Sequence, residues 1–161
     1  MSVQESFTAY VLAGTRPGGD PVALAHGVAS KAQVEIAGRA LLVRVLDALT
    51  ASESVTRITV VGLPSAALDE PAFAAALREH RFAQVAGAAS PAASVAAVLA
   101  EAPAGTPVLV TTGDHALLSP AIVERFLKGA RAAGGDVAYG LAPYELVDAL
   151  LPGMRRTVLR F

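Results

Sequence analysis

Cysteine and tryptophan are absent from the 161 residues, and aromatic residues make up only 5%. Without cysteine there is neither a disulfide framework nor a thiolate metal site. So few rings argue against stacking platforms for single-stranded nucleic acid. An excess of one charge is also missing: 13 Lys and Arg against 14 Asp and Glu leave a net charge of −1. No overall basic field attracts nucleic acid, and any bound anion must be held by a local device. No apolar run approaches the ~20 residues of a membrane span. The most apolar segment, Val85 to Ala100, is interrupted by Gly87, Ser90, Pro91 and Ser94. The N-terminal MSVQESF lacks the basic region and apolar core of a secretory signal. A soluble cytoplasmic protein with no membrane or nucleic-acid partner is expected. Also missing are G-x-G-x-x-G, the P-loop and the G-x-S-x-G elbow, and His26, His80 and His115 show no zinc-binding spacing.

What is present alternates between two periodicities. Phe7 to Ala13 (FTAYVLA) reads as a buried strand, followed by an irregular loop from Gly14 to Ser30 punctuated by Pro17, Gly18, Gly19, Pro21 and Gly27. Loops of that length in a compact domain are usually functional or mobile. Ala32 to Ile36 reads as a short extended segment, with Ala37-Gly38 as a turn. Leu41, Leu42, Val45, Leu46 and Leu49 recur at helical spacing. Arg57 to Gly62 reads as a second strand. Asp69 or Glu70 is placed to cap a helix running to about His80, with Pro71 in its first turn. Further strands are expected at Phe82–Val85, Pro107–Thr112 and Val137–Leu141, and the start of one at Thr157–Phe161. Helices are expected from about Pro91 to Glu101, from Ser119-Pro120 onward, and from Tyr144 to Leu151. Such alternation predicts an α/β domain with a mostly parallel sheet covered on both faces. A single domain spanning 1–161 is expected. The chain stops inside RTVLRF, an apparent strand, which reads as a C-terminal truncation.

Ligands of open α/β sheets bind beyond the carboxyl ends of the strands. The first strand delivers Ala13, Gly14, Thr15 and Arg16 to that edge, and the strand Pro107–Thr112 delivers Asp114. Glycine lets backbone approach a ligand closely, and turn amides can line a concavity suited to phosphate. Arg16 offers a planar fork for phosphate oxygens, Lys31 a point charge, and Asp114 a carboxylate for Mg²⁺. Each has a plainer reading: a turn glycine, solvated surface charges, an acid flanking the next helix. His115 is read as packing or hydrogen-bonding in its loop.

The run LAGTRPGG…SKAQVEIAGRALLVRVLDAL resembles the opening of the MobA-like nucleotidyltransferases. VLVTTGDHALLSPAIVERF is similar to their second landmark, a strand ending in a metal-binding Asp. AGAASPAASVAAVL resembles the segment of related cytidylyltransferases that contacts the nucleotide. The resemblance implies a three-layer α/β/α, Rossmann-like fold of the nucleotide-diphospho-sugar transferase type. It also implies transfer of a nucleoside monophosphate from a nucleoside triphosphate to a small-molecule acceptor, with Mg²⁺ and release of pyrophosphate. On that likeness Arg16 and Lys31 are the catalytic residues and Asp114 the metal ligand. Ala13, Gly14, Thr15, Gly87 and Ser94 shape the nucleotide pocket. The family carries a second metal-binding Asp and much of its acceptor site in a C-terminal part expected to be missing here. A second reading is therefore a catalytically inactive relative that binds nucleotide or a protein partner. A homo-oligomer is compatible with either. A glycosyltransferase would need an Asp-x-Asp motif, which the sequence lacks.

Overall fold

The computed structural model describes residues 6–15, 18–154 and 158. The chain divides into two compact units, Met1–Leu127 and Lys128–Phe161.

Along the first unit run β1 (Phe7–Leu12), α1 (Pro21–Ala25), β2 (Glu35–Ile36), β3 (Arg39–Ala40), α2 (Leu41–Thr50) and β4 (Val55–Val61). They are followed by α3 (Pro71–Leu77), β5 (Ala83–Val85), α4 (Pro91–Glu101), β6 (Val108–Thr112) and α5 (Pro120–Ala133), which continues past the end of the unit. The main sheet has the order β5-β4-β1-β6, and every pairing is parallel. Alternation along β1 explains why both faces are covered, since successive side chains of a strand point to opposite sides. Phe7, Ala9 and Val11 join Ile58, Val60 and Leu109 beneath Leu42, Leu46 and Leu49 of α2, Phe73 and Leu77 of α3, and Val123 and Leu127 of α5. Tyr10 and Val61 pack instead with Val98 of α4, flanked by Leu12 and Val108. The result is a three-layer α/β/α, Rossmann-like fold.

The connectivity fixes where a ligand can sit. From β1 the chain steps outward to β4 and β5, then returns to the opposite side of β1 to lay down β6. Strand order reverses between β1 and β6. At such a switch point the connections leave in opposite directions and open a crevice at the carboxyl ends of the strands.

Local signals explain most element boundaries. Glu70 caps α3, its carboxylate accepting from the amides of Ala72 and Phe73 at 2.9 and 2.6 Å, with Pro71 at the first helical position. Ser119 accepts from the Ile122 amide at 3.3 Å at the start of α5. The long loop after β1 is less irregular than expected, because α1 forms inside it behind Asp20-Pro21. The expected extended run Ala32–Ile36 begins instead as a tight 3-10 turn at Lys31–Gln33. Extended structure then resumes as the β2–β3 hairpin, turning on Ala37 and Gly38, both at positive φ.

A buried polar staple joins α5 to the connection between α2 and β4. Glu124 accepts from the hydroxyls of Ser52 and Ser54 and from the Ser54 amide, the last two at 2.7 and 2.9 Å. Both serines are buried. Glu124→Ala would leave these donors without their acceptor, and the variant is expected to lose about 2–4 kcal/mol of stability. Urea denaturation checks this.

In the second unit α6 (Tyr144–Leu150) forms and Pro152-Gly153 turns, as expected. The strand expected at Val137–Leu141 does not form. Val137, Tyr139 and Leu141 are all exposed, and no ladder satisfies this segment among the described residues. A strand persists only where its amides and carbonyls find a partner edge, whatever its apolar content. The strand expected at Thr157–Phe161 lies outside the described residues except for Val158, which belongs to no strand.

Candidate functional site

An open cleft of about 720 Å³ lies over the carboxyl ends of the strands. Its floor is made where the strand ladders run out. The Ala13 amide donates to Val61 O at 2.9 Å, the Gly62 amide to Val85 O at 2.9 Å and the Gly113 amide to Leu12 O at 2.8 Å. The residues just past β1, β4 and β6 are thus tied across the sheet before the chain turns away.

At two strand ends, Gly62 after β4 and Gly87 after β5, the protein's own packing crowds the space a side chain would take. A side-chain Cβ on Gly62 would lie 3.2 Å from the Cα atoms of both Gly14 and Gly87, and its φ of +78° already disfavours other residues. A Cβ on Gly87 would approach Gly62 Cα to 3.0 Å. At Gly14 a Cβ would meet only Gly62 O at 3.7 Å, an ordinary contact. Packing is tight against a side chain at 62 and 87 and open to one at 14.

Ala13, Gly14, Thr15, Lys31, Gly87, Ser94 and Asp114 all line this cleft. Arg16 lies outside the described residues. Seven residues singled out from the sequence therefore meet in one place. Asp20, Ser30, Gly62 and Ser90, which the sequence reading did not select as site residues, line it too.

Lys31 and Asp114 reach each other directly, Nζ to Oδ2 at 2.6 Å. Lys31 is held by the turn it begins. Ser30 Oγ accepts from the Ala32 amide at 3.2 Å, and Gln33 Oε1 accepts from the Ser30 amide at 3.0 Å, a reciprocal cap. Gln33 Nε2 then donates to Ala67 O at 3.2 Å, anchoring the turn to the body of the unit. The sequence Ser30-Lys31-Ala32-Gln33 carried this capping signal. On the opposite wall, Asp114 hangs from the loop after β6, with Thr112 beside it in the cleft lining. Ser94 has a supporting part. Its buried hydroxyl accepts from the Ala88 amide at 2.8 Å, drawing the Gly87–Ala89 segment onto the first turn of α4.

The charges reinforce one another. The hydrogen bond from Lys31 to Asp114 raises the lysine's pKa against the opposing effect of burial. Burial pushes the Asp114 carboxyl up, but Lys31 and Thr112 together bring it below its ordinary value. A lowered carboxylate pKa adds stability above the unfolded value, about 3.9, and that stability is lost as pH falls through the lower folded value. A raised lysine pKa adds stability below about 10.4, lost as pH rises through the folded value. The pair is therefore at full strength between these limits. Both side chains are about one-third exposed, so screening keeps its contribution within about 1 kcal/mol. Lys31→Met is expected to cost that small amount at pH 7 and less at pH 3, read from urea midpoints.

Residues 10–157 match the MobA-like NTP transferase domain. The chain belongs to that family. Solved structures agree on the fold of this MobA-like domain. A hypothetical transferase from Thermus thermophilus is similar at TM-score 0.64 and 27% identity, over 94% of this chain and 58% of that one. The 4-diphosphocytidyl-2C-methyl-D-erythritol synthase from Anaerococcus prevotii is similar at TM-score 0.58 and 18% identity, over 80% and 52%. The CMP:2-keto-3-deoxy-manno-octonic acid synthetase, solved with CTP, is similar at TM-score 0.52 and 16% identity, over 81% and 48%. The chain thus spans about half the length of these relatives. No curated protein matches it significantly.

Proposed function

We propose that the cleft binds a nucleoside triphosphate with Mg²⁺ and passes its nucleoside monophosphate to a small-molecule acceptor. The observation that carries this reading is the 2.6 Å meeting of Lys31 and Asp114 at the switch point of a parallel sheet, beside a glycine-lined floor. A cation and an anion at a cleft rim suit a substrate that is itself a polyanion with a divalent counterion.

In this reaction an acceptor oxygen attacks the α-phosphorus while the bond to the bridging oxygen breaks. Pyrophosphate leaves, and the acceptor loses its proton. Most of the help a protein can give is positioning and neutralisation of charge. Lys31 supplies a positive charge to the α-phosphate, and Ala13, Gly14 and Thr15 offer close backbone approach to the phosphates. Gly87, with the segment held by Ser94, bounds the space for the nucleoside. The resemblance gives Arg16 the leaving pyrophosphate. Asp114 fits a divalent ion as a cleft carboxylate whose pKa is lowered and whose Oδ2 already accepts from a cation. Among the described residues no group of three or more His, Cys, Asp and Glu is gathered. A hard ion bound by one or two carboxylates takes its other ligands from phosphate and water, and when bound it would neutralise charge on the leaving group.

Pyrophosphate release from ATP, GTP, CTP and UTP, assayed with sugar phosphates, alcohol phosphates and a molybdopterin as acceptors, tests the transfer step. Turnover abolished by Lys31→Met supports it. Nucleotide binding without turnover on any acceptor would instead make the domain a binding module.

A further inference from the structure

Lys31 has two carboxylates near it, and they are held in different ways. Its Nζ lies 2.6 Å from Asp114 Oδ2 and 3.6 Å from Asp20 Oδ2. Asp114 comes from the far wall of the cleft. Asp20 belongs to the same loop as Lys31 and is fixed by its own backbone. Its Oδ1 accepts from the Val22 and Ala23 amides at 2.9 and 3.3 Å, capping α1. That cap uses one oxygen and leaves the other turned to the ammonium. Asp20 lines the cleft, with 17% of its side chain exposed.

Loading the cleft changes what Lys31 can bind. A divalent cation held by Asp114 would compete with the Lys31 ammonium for that carboxylate, since two cations at one acceptor repel. A lysine that loses its short contact regains the freedom of a long flexible stem. We propose that Asp20 is the positioning carboxylate that keeps Lys31 aimed into the cleft after Asp114 has been taken by the metal. In the empty cleft the ammonium is shared, nearer Asp114. In the loaded cleft it moves the short distance to Asp20 and stays beside the phosphates. α1, a five-residue helix within a loop, thereby gains a purpose: its cap orients Asp20. This proposal rests on the nucleotide-binding reading of the same cleft and adds a residue to it.

Simple charge counting predicts the opposite of what this role predicts. Removing a carboxylate from beside a polyphosphate should strengthen binding, whereas removing the anchor of Lys31 should weaken it. Asp20→Asn keeps an oxygen for the α1 cap and deletes the charge. Asp20→Ser, also a capping residue, must behave in the same way. The probe is MgCl₂ with ATP, GTP, CTP or UTP, followed by calorimetry. Both variants are expected to keep the wild-type melting temperature and to bind about five- to tenfold more weakly, the scale of one freed lysine side chain. In a Lys31→Met background, titrated at the higher protein concentration weaker binding demands, Asp20→Asn should add nothing. Equal or tighter binding by Asp20→Asn overturns the proposal, as does an undiminished loss in the Lys31→Met background. A wild-type chain that binds no nucleotide overturns the underlying reading and this proposal together. Wild-type binding with an indifferent Asp20→Asn overturns the role of Asp20 alone.

Discussion

Asp114→Asn is expected to leave the chain folded and to remove metal-dependent nucleotide binding. The two halves of this expectation have different causes. For folding, the substitution deletes one ion pair whose partners are both about one-third exposed. Pairs so screened contribute within about 1 kcal/mol, and Lys31 still has Asp20 at 3.6 Å. For binding, the amide carries no charge and is a poor ligand for a hard divalent ion. Loss even of groups that merely orient a metal ligand costs ten- to a hundredfold in affinity, so loss of the ligand itself should cost at least about a hundredfold. Manganese, which reports its binding through its paramagnetism, is the convenient probe. Titrated with a nucleoside triphosphate, it should bind the wild-type cleft and not the variant, while urea midpoints stay close together. Unaltered manganese binding by Asp114→Asn would remove this residue from the metal site.

A second large effect is expected from a residue that bears no chemistry. Gly62→Ala should destabilise the first unit by about 2–4 kcal/mol. Part of that is conformational, because φ at Gly62 is +78° and a left-handed conformation costs other residues about 1–2 kcal/mol. The rest is steric. The new methyl would stand 3.2 Å from the Cα atoms of Gly14 and Gly87, and both neighbours are backbone, which cannot rotate out of the way. Relief would have to come from spreading the ends of β1 and β5 away from β4. The same change would deform the cleft floor, so nucleotide affinity should fall along with the urea midpoint. Gly14→Ala is the control: its added methyl meets only an ordinary 3.7 Å contact, and its stability should stay near wild type. Equal stability losses at positions 62 and 14 would refute the packing account.

Much of the molecule was legible because its signals are local. β1, β4 and β6 are short apolar runs with turn residues at their ends, α2 shows helical spacing that one face of the sheet absorbs, and Ser119-Pro120 marks the start of α5. The order of these elements sufficed to bring Gly14 and Asp114 to one edge of a parallel sheet. Four features were hidden for physical reasons. α1 is too short for periodicity to reveal, and only the Asp20-Pro21 cap marks it. Gly62 looks like any glycine ending a strand. The crowding around it comes from Gly14 and Gly87, which approach from the two neighbouring strand ends, a fact of tertiary packing. Val137–Leu141 has the composition of a strand, yet composition does not supply the edge a strand must pair with. The direct ion pair of Lys31 with Asp114 was likewise beyond reach, since it depends on how far each side chain extends across the cleft.

In the proposed function Lys31 and Asp114 serve one polyanion and its divalent counterion in a single cleft. The most direct test is calorimetric titration of the wild-type chain with ATP, GTP, CTP and UTP, each with Mg²⁺ and again with a chelator. This account predicts that at least one of the four binds and that chelation weakens it by about tenfold or more, the cost of losing charge neutralisation at the phosphates. Absence of binding by all four, or binding indifferent to Mg²⁺, would contradict it.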